Sequence, residues 1–155
     1  MPATNAAKVF FEKHVSPSLN DSEKSPVDER LAMNLASNLN NLIDHYWHSA
    51  SANAPSKVLH KKTLKEFRAD LAKINVNIGL IRDVADAHKH LKLSRRDRSL
   101  TNANQTSPQQ VGYGQAYGMS YGGGELLVIT LDNGKEEYFS IIAGAAYEYW
   151  RNELQ

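Results

Sequence analysis

Residues Ser25–Ser49 read SPVDERLAMNLASNLNNLIDHYWHS. Within them Leu31, Leu35, Leu39, Leu42 and Tyr46 recur at steps of three and four, flanked by Ala32, Ala36, Ile43 and Trp47. That spacing lays an apolar stripe along a helix of 3.6 residues per turn. At the start, Ser25 suits a cap, Pro26 suits the first turn, and Asp28 and Glu29 complement the positive end of the dipole. A helix this long, greasy on one side, decides the fold class: the remaining chain must supply the surfaces that cover it.

Working outward, Asn5–Val15 reads as a short amphipathic helix with Ala6, Val9, Phe10 and Phe11 on its apolar side. Ser16–Ser25 is polar, holds Pro17 and reads as a loop. Beyond the long helix, Ala50–Ser56 reads as a loop around Pro55. A third helix is expected over Lys57–Ile74, burying Leu64, Phe67, Leu71 and Ile74. Asn75-Val76-Asn77 interrupts it, with Asn77 as cap of a fourth helix to Leu91; one kinked helix is the alternative.

After Leu93 the helical period stops. Ser94–Gly124 is rich in Asn, Gln, Ser, Gly and Tyr, with Tyr-Gly pairs at Tyr113, Tyr117 and Tyr121. Glu125–Leu131 is a strand, Asn133-Gly134 a two-residue hairpin turn and Lys135–Phe139 the return strand. Ser140 then caps a last helix, Ile141–Leu154, that buries Ile142, Ala145, Tyr149 and Trp150. The expected fold is α+β and mainly α: a bundle of three to four helices with a C-terminal β-hairpin and a closing helix. It forms one domain over residues 1–155, divided into a bundle (1–93), an irregular Gly/Tyr-rich segment (94–124) and the hairpin with its helix (125–155).

Bulk composition narrows the function. With 155 residues, 41% hydrophobic and 23% charged, the chain has the make-up of a globular protein with a real core. A net charge of +1 gives no global pull towards nucleic acid, so local clustering has to carry any such argument. Cysteine is absent, which removes disulfides, thiolate metal sites and cysteine nucleophiles. Met1–Val15 lacks the basic start and long apolar core of a signal peptide, and no run approaches the ~20 apolar residues of a membrane span. A soluble, cytoplasmic protein without a membrane partner is expected. Phosphate-cradling loops with lysine, nucleophile elbows and dinucleotide-binding glycine signatures are missing from the sequence, and no cofactor is expected.

The chemistry concentrates in Arg82–Arg98, where two histidines, Asp83, Asp86 and six basic residues share one stretch. On a helical wheel with Ile81 at zero, Ile78, Val84, Ala85 and His88 fall within about 60° of Ile81, so His88 joins the apolar stripe. His90 points the opposite way, towards the face of Asp83 and Asp86, and Arg82, Asp86 and Lys89 are spaced for ion pairs. On the stripe, His88 is either a core histidine with one hydrogen bond or a general acid or base in a cleft or dimer seam. His90 with Asp86 is either an oriented imidazole or a solvated pair. Arg82 is either a phosphate grip or a salt-bridge partner of Asp86. The tail adds Lys89, Lys92, Arg95, Arg96 and Arg98 against Asp97 alone, a local density that suits RNA or a phosphate ligand.

Arg82-Asp83 followed by His88 resembles the signature of HEPN-domain proteins, many of them RNases of toxin–antitoxin and phage-defence systems. The resemblance implies a homodimer that brings two such motifs together and cleaves RNA without a metal. It makes Arg82 the phosphate-binding group, Asp83 the polar position and His88 the acid or base. The hairpin and closing helix are additions to that family's all-helical plan. The longer string Asp83–Leu93, followed by a Gly/Tyr loop and a hairpin, also resembles uncharacterised bacterial proteins, a likeness that brings no activity with it.

Two further groups deserve weighing. His45 and His48 are either metal ligands awaiting a third from His88, His90 or Asp86, or a pair complementing the helix C-terminal dipole. Tyr113, Tyr117 and Tyr121 are either a stacking platform for unpaired bases or an arm whose rings pack on the bundle. The leading expectation is thus a protein of bacterial or phage type that binds RNA or a nucleotide through Arg82–Arg98 and cleaves RNA. Its nucleic-acid contacts would be Lys89, His90, Lys92, Arg95, Arg96, Arg98 and the three tyrosines, with no metal. The alternative is a non-catalytic interaction module that docks a protein partner through the 94–124 loop and the hairpin.

Overall fold

A computed structural model describes residues 3–53, 63–90, 93, 98–111 and 124–155. Its helices are α1 (Ala3–Phe10), α2 (Ser16–Lys24), α3 (Glu29–Asn53), α4 (Leu64–Ile74), α5 (Val76–His90) and α6 (Phe139–Glu153). Its strands are β1 (Thr106–Val111), β2 (Gly124–Thr130) and β3 (Glu136–Tyr138). The fold is mainly α and of the α+β class, as expected. Helices surround α3, and a small antiparallel sheet in the order β1-β2-β3 packs beside α6.

The stripe on α3 does what its spacing implies. Ala32, Leu35, Ala36, Leu39, Leu42, Ile43 and Tyr46 are all buried in one core with Phe67 and Leu71 of α4, Ile78, Ile81 and Val84 of α5, and Trp150 of α6. The start of α3 corrects one detail. Asp28, not Ser25, is the cap, its carboxylate accepting from the Leu31 N–H at 3.2 Å. The helix also runs on to Asn53, past the loop expected from Ala50.

The largest correction lies before α3. Ser16–Ser25, expected as a loop, is largely helical and follows α1 through a wide π-turn over Phe11–Val15. Pro17 has no N–H to give to the carbonyl four residues back. Widening the turn just ahead of it, where the Ser16 N–H reaches the Phe11 carbonyl, lets the helix continue with proline in the first turn of α2. Asn38 of α3 then donates to Ser18 Oγ at 2.6 Å, and Ser16 Oγ shares a hydrogen bond with Tyr147 of α6 at 3.0 Å.

Helices α4 and α5 form a tight corner. Thr63 and Glu66 make a reciprocal capping box at the start of α4; residues 57–62 of the longer expected helix lie outside the described residues. Asn75, rather than Asn77, caps α5, its Oδ1 accepting from the N–H groups of Asn77 (3.0 Å) and Ile78 (3.3 Å). Ile74, expected in the core, is 62% exposed at this corner. A Cβ on Gly79 would come within 3.1 Å of Ala72 Cβ, so glycine sets how closely α5 approaches α4.

The stretch expected to be irregular contains β1, paired along its length with β2 from Thr106↔Ile129 to Val111↔Gly124. Pro108 sits on this edge strand, where its missing N–H is tolerated. The hairpin between β2 and β3 uses a three-residue loop instead of two. The Gly134 N–H bonds to the Leu131 carbonyl at 2.9 Å, and Gly134 takes φ +89°. The closing helix begins at Phe139, with Tyr138 and not Ser140 at its cap position. Among the described residues, no helix is long and apolar enough to cross a membrane.

Candidate functional site

An open groove of about 790 Å³ lies where α3, α4 and the second half of α5 meet. Helix α3 contributes Asn40, Asn41 and Asp44, α4 contributes Lys65 and Arg68, and α5 contributes Arg82, Asp86, His88 and Lys89. Its floor is a polar chain across three helices. Arg68 donates to Asn40 Oδ1 at 2.7 Å and forms an ion pair with Asp44, and Asn40 Nδ2 donates to Asp86 Oδ1 at 3.4 Å. Because the capping box fixes where α4 begins, Arg68 falls on its second turn, facing α3. Lys65 lies one turn earlier on the same wall.

Arg82 and His88 line this groove together, but in different settings. Arg82 is 7% exposed, with Nε 3.7 Å from Asp83 Oδ1. A carboxylate thus stands beside the guanidinium, that of the adjacent residue Asp83. His88 is exposed, as are Lys89 and His90. This overturns the placement of His88 in a buried stripe. Helix α5 is covered on nearly all sides from Ile78 to Ala87 by α3, α4 and α6, so a wheel with one apolar face does not describe it. At its last turn His88, Lys89 and His90 are exposed, and the His88 ring lines the groove.

Asp83 has a structural job. It is 2% exposed and accepts from the Ser99 N–H at 2.8 Å, pinning the chain that leads to the sheet. Arg98 belongs to the same tether: Nε donates to Thr101 Oγ1 at 3.0 Å and lies 3.7 Å from Asp132 at the hairpin turn. Lys92, Arg95, Arg96, Tyr113, Tyr117 and Tyr121 lie outside the described residues. Of the expected nucleic-acid contacts, the structure therefore brings Lys89 to the groove beside Arg82 and His88, and leaves His90 exposed one residue further along.

Sequence reasoning missed Asn40, Asn41, Asp44, Lys65 and Arg68. The signal was present in α3, whose polar side carries several asparagines although asparagine is a poor helix former. Lys65, Arg68, Arg82 and Lys89 outnumber Asp44 and Asp86, so the groove has an excess of positive charge. His88 also borders a second cavity of about 550 Å³, between the start of α3 and the 103–107 segment.

The histidines of α3 do other things. His45 stacks on Phe10 with centroids 4.0 Å apart, and His48 meets Trp47 edge-on at 5.0 Å. Among the described residues, no group of three or more His, Asp or Glu side chains is disposed to hold a metal. Two tyrosines at the α3–α6 contact have displaced titrations. Burial, reinforced by Glu153, pushes the Tyr46 and Tyr149 phenols above their ordinary range. Tyr46 donates to Glu153 Oε1 at 3.0 Å and packs against Trp150. Comparison with known proteins gives no match to a family model, a curated protein or a solved structure.

Proposed function

We propose that the α3–α4–α5 groove binds single-stranded RNA and cleaves it without a metal, in a homodimer of HEPN type acting in the cytoplasm. The single observation that supports this reading is that Arg82 and His88 line one solvent-open groove, six residues apart on α5. A guanidinium anchored beside Asp83 is suited to hold a phosphate, and an exposed imidazole is suited to move a proton near neutral pH. Lys65 and Lys89 add charge along the backbone path.

In the proposed reaction the RNA 2′-hydroxyl attacks the adjacent phosphorus as His88 accepts its proton. The bond from phosphorus to the 5′ oxygen breaks, and that oxygen takes a proton from the second copy's His88, protonated beforehand. Arg82 neutralises the extra negative charge of the five-coordinate transition state. The products are a 2′,3′-cyclic phosphate and a 5′-hydroxyl end.

The test is incubation of purified protein with end-labelled single-stranded RNA in excess EDTA, with products identified by mass spectrometry. Cyclic phosphate ends are expected, and His88→Ala should slow their formation by about 10²–10⁴-fold. Since His88 is exposed, its thermal unfolding should match the parent's. No cleavage by the parent, or equal cleavage by the variant, removes the nuclease reading.

A further inference from the structure

The two cavities that meet at His88 differ in chemistry. The groove carries Lys65, Arg68, Arg82 and Lys89, whereas the second cavity sets Met33 and Ala103 beside Asn34 and Asn104, with one acid and one base, Glu29 and Arg30, offsetting each other in charge. We infer that this second cavity is a nucleobase site, seating the base of the nucleotide next to the phosphate held in the groove; the inference rests on the RNA reading above.

Three observations converge on it. The first is adjacency: His88 borders both cavities, which puts a base in one and a phosphate in the other on two sides of the same ring. The second is lining chemistry. Met33, 7% exposed, offers a thioether against which an aromatic ring packs, and the exposed amides of Asn34 and Asn104 offer the paired donors and acceptors that base edges match. At about 550 Å³ the cavity also lies within the ~300–1,000 Å³ usual for small-molecule sites.

The third is rigidity. The wall that carries Ala103 and Asn104 is a single helical turn, Ala103–Gln105, and the side chain of Gln105 locks it in place. Gln105 Oε1 accepts from the N–H groups of Thr101 (2.8 Å) and Asn102 (2.7 Å). Its Nε2 donates to the Thr130 carbonyl (2.8 Å) and to Asp132 Oδ1 (3.1 Å). One side chain thus fastens the wall to β2 and the hairpin turn. A wall fixed before binding costs little ordering entropy when a ring enters.

The experiment compares an RNA octamer having 2′-O-methyl groups, which cannot be cleaved, with a base-free ribose-phosphate octamer of equal charge. Fluorescence anisotropy should show the base-bearing strand binding the parent at least about tenfold more tightly. Ala103→Trp, which fills the cavity, should abolish that preference and leave base-free binding unchanged. Ser107→Trp is the second filling variant should the first unfold. Equal affinity of the parent for both strands, or a preference that survives filling, overturns the base site while the phosphate groove stands. Failure of both strands to bind overturns the groove reading and the base site together.

Discussion

Helix α3 holds two polar clusters on neighbouring turns, and they behave in opposite ways. Asn40 and Asp44 meet Arg68 and Asp86 in a groove open to water. Tyr46 meets Glu153 beneath Trp150 and Tyr149, where the tyrosine is 3% exposed. In the closed cluster burial displaces the titrations, and the hydrogen bond serves packing. In the open one, cations gather around space with room for a ligand. A buried phenol paired with a carboxylate therefore marks the structural cluster here, and accessible charge marks the candidate site.

That contrast can be attacked from both sides. The largest effect is expected at the groove mouth, where His88→Ala should lower RNA cleavage by about 10²–10⁴-fold and leave the urea midpoint in place. Next comes Asp83→Ala, which removes the acceptor for Ser99 and strips a buried carboxylate from beside Arg82. It should cost about 3 kcal/mol in urea unfolding, and a loss below about 1 kcal/mol would show that Asp83 is not a structural anchor.

In the closed cluster, Tyr46→Phe should cost about 1 kcal/mol at pH 7 and leave RNA binding unchanged. Its pH dependence has a defined sign. The folded-state phenol pKa is raised above its ordinary value near ~10, so the folded protein holds that proton more tightly than the unfolded chain does. The stabilisation is complete below about pH 10 and is lost as pH rises through the folded pKa. Urea melts from pH 7 to pH 11 should show a shallower alkaline fall in Tyr46→Phe, and identical slopes would contradict the assigned cause. The smallest effect is expected for Lys65→Ala. RNA affinity should drop similarly for all sequences and the salt slope by about one, with stability unchanged within ~0.5 kcal/mol.

How much could be read from sequence follows from how each signal arises. The α3 stripe was legible because its leucines and Tyr46 repeat on one face over about four turns. Strand β1 was not, because an edge strand reading Thr-Ser-Pro-Gln-Gln-Val owes its place to the ladder with β2 rather than to apolar alternation. Helix α2 was hidden by Pro17, whose effect depends on a π-turn that composition does not encode.

The site divides the same way. Arg82, His88 and Lys89 were visible as neighbours on one helix. Lys65, Arg68 and Asn40 enter the groove only through the crossing of α4 over α3, a tertiary fact without a local signature. The orientation of His88 was misread for a related reason: on a helix buried on most sides, one apolar stripe does not separate covered positions from exposed ones.

Most direct of all is an NMR titration of the parent with the uncleavable 2′-O-methyl RNA octamer. The account predicts shifts of the His88 ring and Arg82 side-chain resonances that saturate together, while the Trp150 indole and Tyr46 ring stay still. Saturable shifts confined to Trp150 and Tyr46, or an unmoved His88 ring at saturating RNA, would contradict it.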